Sequence, residues 1–168
     1  CGHCGQPGHN QRTCPVKKYV NSRIPRAKEL YEKILKQDSE DANARHLIAL
    51  IYMAEGNFEE AQKNIQIAIK NAPEQPIFHS NYGALLHSMG KYQEAVDALD
   101  TSIRLDSKLF QSYYSLGIVY SDLNENEKAV ESYYKALEVN NKSAAAHNNI
   151  ANLFSNTNNP EAEYHYKK

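Results

Sequence analysis

The sequence contains no tryptophan, only two methionines and only three cysteines, and all three cysteines fall within the first fourteen of its 168 residues. From Pro15 onward there is no thiol, so a disulfide framework cannot hold that long stretch together and a hydrophobic core must. No run of eighteen apolar residues occurs, which excludes a membrane-spanning helix in this stretch and argues against a membrane partner. The seven glycines and six prolines are too few for a low-complexity or collagen-like chain. No glycine-rich phosphate loop appears, and no nucleophile sits beside a base in a recognisable pattern, so an enzyme is not expected.

Charge is nearly balanced overall, at −1, but it is unevenly placed. Residues 1–36 carry a net +6 and residues 37–168 a net −7. A basic head on an acidic body fits an anionic partner for the head, and it equally fits a solvated linker.

The cysteines stand as Cys1-x2-Cys4-x4-His9-x4-Cys14. Zinc takes four ligands tetrahedrally from thiolate and imidazole, and a CxxC turn lets two thiolates reach one ion. Three cysteines cannot all pair as disulfides, and a reducing cytoplasm or nucleus, the expected location, favours a metal cage over incidental cysteine use. His3 is an alternative imidazole, but it lies inside the CxxC turn. Four protein ligands leave no open position for water, so one structural Zn2+ is expected. This stretch resembles the CCHC zinc knuckle, with all four ligand positions and the glycine before the histidine in place. That resemblance implies a single-stranded nucleic acid or a second protein as partner. Base stacking normally needs an aromatic ring, and the first one here is Tyr19. The residues left to meet phosphates are Arg12, Lys17, Lys18, Arg23 and Arg26.

The rest of the chain repeats. Ala27, Ala61, Ala95 and Ala129 are spaced by 34 residues, and so are Ala49, Gly83, Gly117 and Ala151. Tyr52, Leu86, Tyr120 and Phe154 keep the same step. A fixed period of this length marks a repeat architecture. Each period reads as two amphipathic helices, the first ending near a glycine such as Gly56 or Gly90 and the second near a proline. The stretches "LIALIYMAEGNFEEA" (47–61), "YGALLHSMGKYQEA" (82–95) and "LGIVYSDLNENEKA" (116–129) resemble the tetratricopeptide repeat family.

The expected fold is therefore all-α, a right-handed tetratricopeptide solenoid of helix hairpins with a small N-terminal zinc knuckle. The expected division is a knuckle over 1–14, a basic linker over 15–24 and a capping half-repeat helix over 25–41. Repeats follow at 42–75, 76–109 and 110–143, then a partial fourth at 144–168. No polar capping helix follows that partial repeat, so further repeats or another domain are expected beyond Lys168.

The resemblance implies a protein-binding scaffold whose first helices line a peptide groove. Residues counted to face it are Asn43, His46, Ser80, Asn81, His87, Tyr114, Ser115, Asn148, Asn149 and Asn152. Amide side chains both donate and accept, so they suit a peptide backbone of any sequence; asparagine bias in this part of the chain explains them equally well. Asn81 and Asn149 share one column, with Ser115 between them, which is similar to the asparagine ladder of O-linked N-acetylglucosamine transferases. On that resemblance the chain is alternatively the regulatory arm of a larger enzyme. Chaperone-binding members of the family clamp a C-terminal carboxylate with Lys and Asn. The matching places here hold His46, Ser80 and Tyr114, so no such clamp is expected.

Overall fold

The computed structural model describes residues 15–155, with side chains from Ile24 onward. Among the described residues there are eight helices and no strand. They are α1 (Pro15–Gln37), α2 (Ala42–Ala54), α3 (Phe58–Asn71), α4 (Pro76–Ser88), α5 (Tyr92–Leu105), α6 (Phe110–Asp122), α7 (Asn126–Val139) and α8 (Ala144–Ser155). The chain divides into two compact units, Cys1–Asn71 and Ala72–Lys168. In the first, α2 packs on both α1 and α3; in the second, α4 pairs with α5, α6 with α7, and α5 and α7 lean on α6 and α8.

The helices start where local chemistry allows it. Asp41 caps α2, its carboxylate accepting from the Ala44 amide at 2.7 Å. That satisfies one of the amides an N-terminus leaves unpaired. Pro76 opens α4, where its missing N–H costs nothing and its fixed φ is already helical. The turn inside each hairpin is also built the same way three times. Gly56, Gly90 and Asn124 have φ of +77°, +74° and +60°. The following amide reaches back five residues, from Asn57 to the Tyr52 carbonyl, Lys91 to Leu86 and Glu125 to Tyr120, at 2.8, 2.9 and 2.9 Å. This is the Schellman closure, which needs a left-handed residue at its centre. Asparagine tolerates that conformation better than other side chains, so Asn124 does the work glycine does elsewhere.

A second device ties three of the four first helices, α2, α4 and α8, to the loop before each. Nε of Arg45, Nε2 of His79 and Nε2 of His147 each donate to the carbonyl six residues earlier, Ser39, Pro73 and Asn141, at 3.0, 2.7 and 3.1 Å. These groups share one repeat position, and three loops are held by one arginine and two histidines.

Packing explains the small-residue column. A Cβ on Gly83 would lie 2.6 Å from Leu99 Cγ, and one on Gly117 would lie 2.5 Å from Tyr133 Cε1. The glycines let α4 and α6 approach α5 and α7 until Leu99 and Tyr133 fill the gap; both side chains are almost wholly buried, as is Ala49 at the matching place in the first unit. Around Leu99, Leu86, Val96 and Val119 form one cluster, and Tyr133, Leu137 and Ile150 form another.

One expectation about boundaries needs correction. The sequence reading places a linker over 15–24 and a helix over 25–41, whereas one helix runs through both, from Pro15 to Gln37, with Pro25 inside it. Proline at the first position suits a helix start, and an interior proline removes one hydrogen bond without having to end the helix. The helix stops before 41 because Asp38 accepts from the Glu40 amide at 3.0 Å and Asp41 turns to cap α2. Short acidic side chains there offer the backbone an alternative to continued helix.

Candidate peptide-binding face

Within the second unit the first helices form a row. α4 packs on α6, and His87 Nε2 of α4 lies 2.6 Å from Asp122 Oδ2 of α6. The His87 ring also sits 5.6 Å from that of Tyr92. From α8, Asn149 Nδ2 donates to the Tyr114 hydroxyl of α6 at 3.3 Å. Tyr114 is held from two sides, stacked on Phe110 at 5.6 Å and tilted against Tyr133 at 5.8 Å. Burial pushes the Tyr133 phenol up to about 12, against a hydrogen bond from Asn149 that pulls it down. Asn149 thus sits between two tyrosines and fixes α8 to α6.

The other sequence-selected residues separate into two groups. Asn148 and Asn152 are exposed on α8, while Asn81, His87 and Tyr114 are half-buried, so all five can meet a ligand. Ser80 and Ser115 cannot: they are 1% and 7% exposed. Ser115 spends its acceptor on Gln111 Nε2 at 3.1 Å, and the Ser80 hydroxyl has no hydrogen-bond partner. Their short side chains stay within the helix packing, where the longer amides at neighbouring places reach outward. The buried Ser115 also interrupts the asparagine column between Asn81 and Asn149. In the first unit Asn43 is exposed on α2, but His46 is 7% exposed, and burial lowers its imidazole pKa from the ordinary value. It is a packing residue and not a ligand contact.

Two features escaped the sequence reading. Phe110 stacks on Tyr114 because the two are four residues apart on one helix, a spacing that could have been read. In the first unit Arg45 Nη1 donates to buried Asn64 Oδ1 at 2.9 Å, and Asn64 Nδ2 donates to the Glu60 carbonyl at 2.8 Å. The signal was a polar residue at a place where the later repeats hold Ala98 and Ser132.

The ligands expected for zinc, Cys1, Cys4, His9 and Cys14, lie outside the described residues, as do the side chains of Arg12, Lys17, Lys18 and Arg23. Arg26 is exposed on α1. Among the described residues no group of three or more His, Cys, Asp or Glu could hold a metal ion, and no helix is long and apolar enough to cross a membrane.

Paired helices that repeat every 34 residues, joined by left-handed turns and presenting a row of first helices, define an α-helical repeat protein. The chain carries tetratricopeptide repeats. Residues 74–142 match the family described as tetratricopeptide repeat, and residues 21–102 match the family described as anaphase-promoting complex, cyclosome, subunit 3. Among curated relatives, stress-induced-phosphoprotein 1 of Caenorhabditis elegans is 34% identical over 66% of this chain and 35% of its own length. An Hsp70-Hsp90 organising protein of Plasmodium falciparum is 30% identical over 53% of this chain and 36% of its own length. The chain thus spans about a third of these relatives. The fold is shared with MamA, at a TM-score of 0.78 and 24% identity over 90% of this chain and 89% of that one. It is also shared with the first tetratricopeptide domain of Spaghetti (RPAP3), solved with the HSP90 peptide SRMEEVD, at a TM-score of 0.67 and 19% identity over 71% of this chain and 97% of that one.

Proposed function

We propose that this chain is a non-enzymatic scaffold that holds an extended peptide of a protein partner on the first-helix face of its second unit. The observation that carries the reading is the tied row of α4, α6 and α8, with His87 joined to Asp122 and Tyr114 to Asn149. These ties fix the backbones, so the side chains around them meet a ligand already positioned, and less ordering entropy is lost on binding. Asn81, Tyr114, Asn148 and Asn152 supply amide and hydroxyl groups that can pair with a peptide backbone. The kinship with co-chaperone proteins supports a protein ligand. The test is affinity selection of peptides from a random library on the full chain. Selected peptides should lose about tenfold affinity or more, ~1.4 kcal/mol, for the Asn148→Ala/Asn152→Ala double variant. Equal affinity for the variant would place the site elsewhere.

A separate site is proposed for the N-terminal stretch. Three thiolates and one imidazole are a donor set suited to Zn2+, and Cys1, Cys4, His9 and Cys14 would hold it. α1 brings Lys17, Lys18, Arg23 and Arg26 into the first twelve residues of one helix, which suits a single-stranded nucleic acid or an acidic protein surface. Metal analysis of the purified chain and of its Cys4→Ser variant tests the ion. Titration with a short single-stranded RNA at low salt tests the ligand, and no binding with zinc loaded would remove nucleic acid from the reading.

A further inference from the structure

The row of first helices in the second unit is nearly without charge. Across α4, α6 and α8 the sole Asp, Glu, Lys or Arg is Asp122. The second helices are different: α5 carries four such residues and α7 carries five. Water-facing helix surfaces ordinarily carry charge, so one set of helices is solvated in the usual way and the other is not. The uncharged set still exposes polar groups, the amides of Asn148 and Asn152 foremost. Such a face can hydrogen-bond a ligand, but it has no cation to offer one.

Asp122 stands at the C-terminal end of α6. Its Oδ2 faces His87, and its side chain is 49% exposed. Its partner is a histidine, and no Lys or Arg of the described residues forms an ion pair with it. A ligand cation placed there gains an ion pair, whereas a ligand carboxylate meets Asp122 with no lysine or arginine on three helices to offset the repulsion.

We propose that this face selects an internal, uncharged stretch of a partner protein that carries one Lys or Arg seated beside Asp122, and rejects acidic segments and free C-terminal carboxylates. The proposal rests on the peptide-binding reading above and gives it a ligand chemistry. It separates this chain from the RPAP3 domain, whose solved peptide SRMEEVD is acidic. Because one ion pair at most is involved, binding should respond weakly to salt.

The experiment is fluorescence anisotropy with the full chain and three labelled probes. The first is a pool of acetylated and amidated nonapeptides with random uncharged residues and a central lysine. The second is the same pool with a central glutamate, and the third is SRMEEVD with its free carboxylate. The lysine pool should bind about tenfold tighter than either of the others and change less than about threefold between 50 and 500 mM NaCl. Asp122→Asn should abolish the preference for lysine over glutamate, and Asn148→Ala/Asn152→Ala should weaken the lysine pool. If SRMEEVD or the glutamate pool binds as well as the lysine pool, and the asparagine variant still weakens it, the proposed selectivity is wrong while the face remains the site. If the lysine pool binds and the asparagine variant leaves it unchanged, the face itself is not the site. Absence of binding by every probe overturns both.

Discussion

Asn149 of α8 donates to the hydroxyl of Tyr114 on α6, and Tyr114 in turn packs against Tyr133 of α7. One amide therefore fastens the last described helix to the hairpin before it, on the face proposed to bind peptide.

Removing either end of that bond should loosen α8. A neutral hydrogen bond of this kind contributes about 0.5–1.5 kcal/mol. Asn149→Ala and Tyr114→Phe are each expected to lower unfolding stability by that amount. The double variant should lose less than the sum, because the second change finds the bond already gone. Urea denaturation of the four proteins gives the coupling. Strict additivity would mean the two side chains do not act together.

The glycines of the repeat column should resist enlargement. A methyl group on Gly117 would meet the ring of buried Tyr133, and one on Gly83 would meet the branch point of Leu99. Overpacking costs about 1–3 kcal/mol, so Gly83→Ala and Gly117→Ala should each destabilise by that amount. Asn124→Gly, at a left-handed turn residue, should be close to neutral. A thermal melt compares the three, and a stable Gly117→Ala would show that α6 and α7 can separate without loss.

The period of 34 was legible because helix packing recurs only if the same sizes recur, and the first helices begin at Ala42, Pro76, Phe110 and Ala144 on that step. Site residues were harder to read. Ser80 and His46 look like groove residues by count, yet both are buried. Counting gives an angle around the helix, but how far a side chain reaches depends on its length and on the neighbouring helix. Ser80 is too short to emerge, and His46 turns into the packing. Asn148, at the same repeat place as Ser80 and His46, is exposed on α8, as is Asn152. The start of α1 was misread for another reason: Pro25 signals a boundary, and the sequence alone does not reveal that the helix continues through it.

His46 should make stability depend on pH. Burial lowers its pKa from the ordinary 6.5, so the folded chain prefers the neutral ring. As pH falls below about 6.5, the unfolded chain takes up a proton before the folded one does, and stability drops with a slope of up to about 1.4 kcal/mol per pH unit. The loss ends below the lowered folded pKa. Above about 6.5 this group adds no pH dependence. Denaturation of wild type and His46→Gln between pH 5 and 8 isolates the effect: the slope between pH 5 and 6.5 should be smaller in the variant. Parallel curves would show that His46 is protonated equally in both states.

A buried pair of hydroxyls links three helices of the second unit. Ser102 Oγ of α5 donates to the Pro76 carbonyl of α4 at 2.7 Å and lies 2.8 Å from Ser112 Oγ of α6. A hydroxyl has one proton. Since that of Ser102 goes to the carbonyl, Ser112 must donate to Ser102. The two serines are therefore not equivalent. Ser102→Ala strands the Ser112 proton in a site with no exposure, which costs about 1–3 kcal/mol. Ser112→Ala leaves only an unused lone pair on Ser102 and should cost less. Adding Ser112→Ala to Ser102→Ala removes the stranded donor and should restore part of the stability, since apolar replacement of both partners can be nearly neutral. The repeat supports this, because Ala68 and Ala136 occupy the matching column and are fully buried without a hydroxyl. Chemical denaturation of the two single variants and the double variant tests the order; a double variant less stable than Ser102→Ala would reverse the assigned direction of the bond.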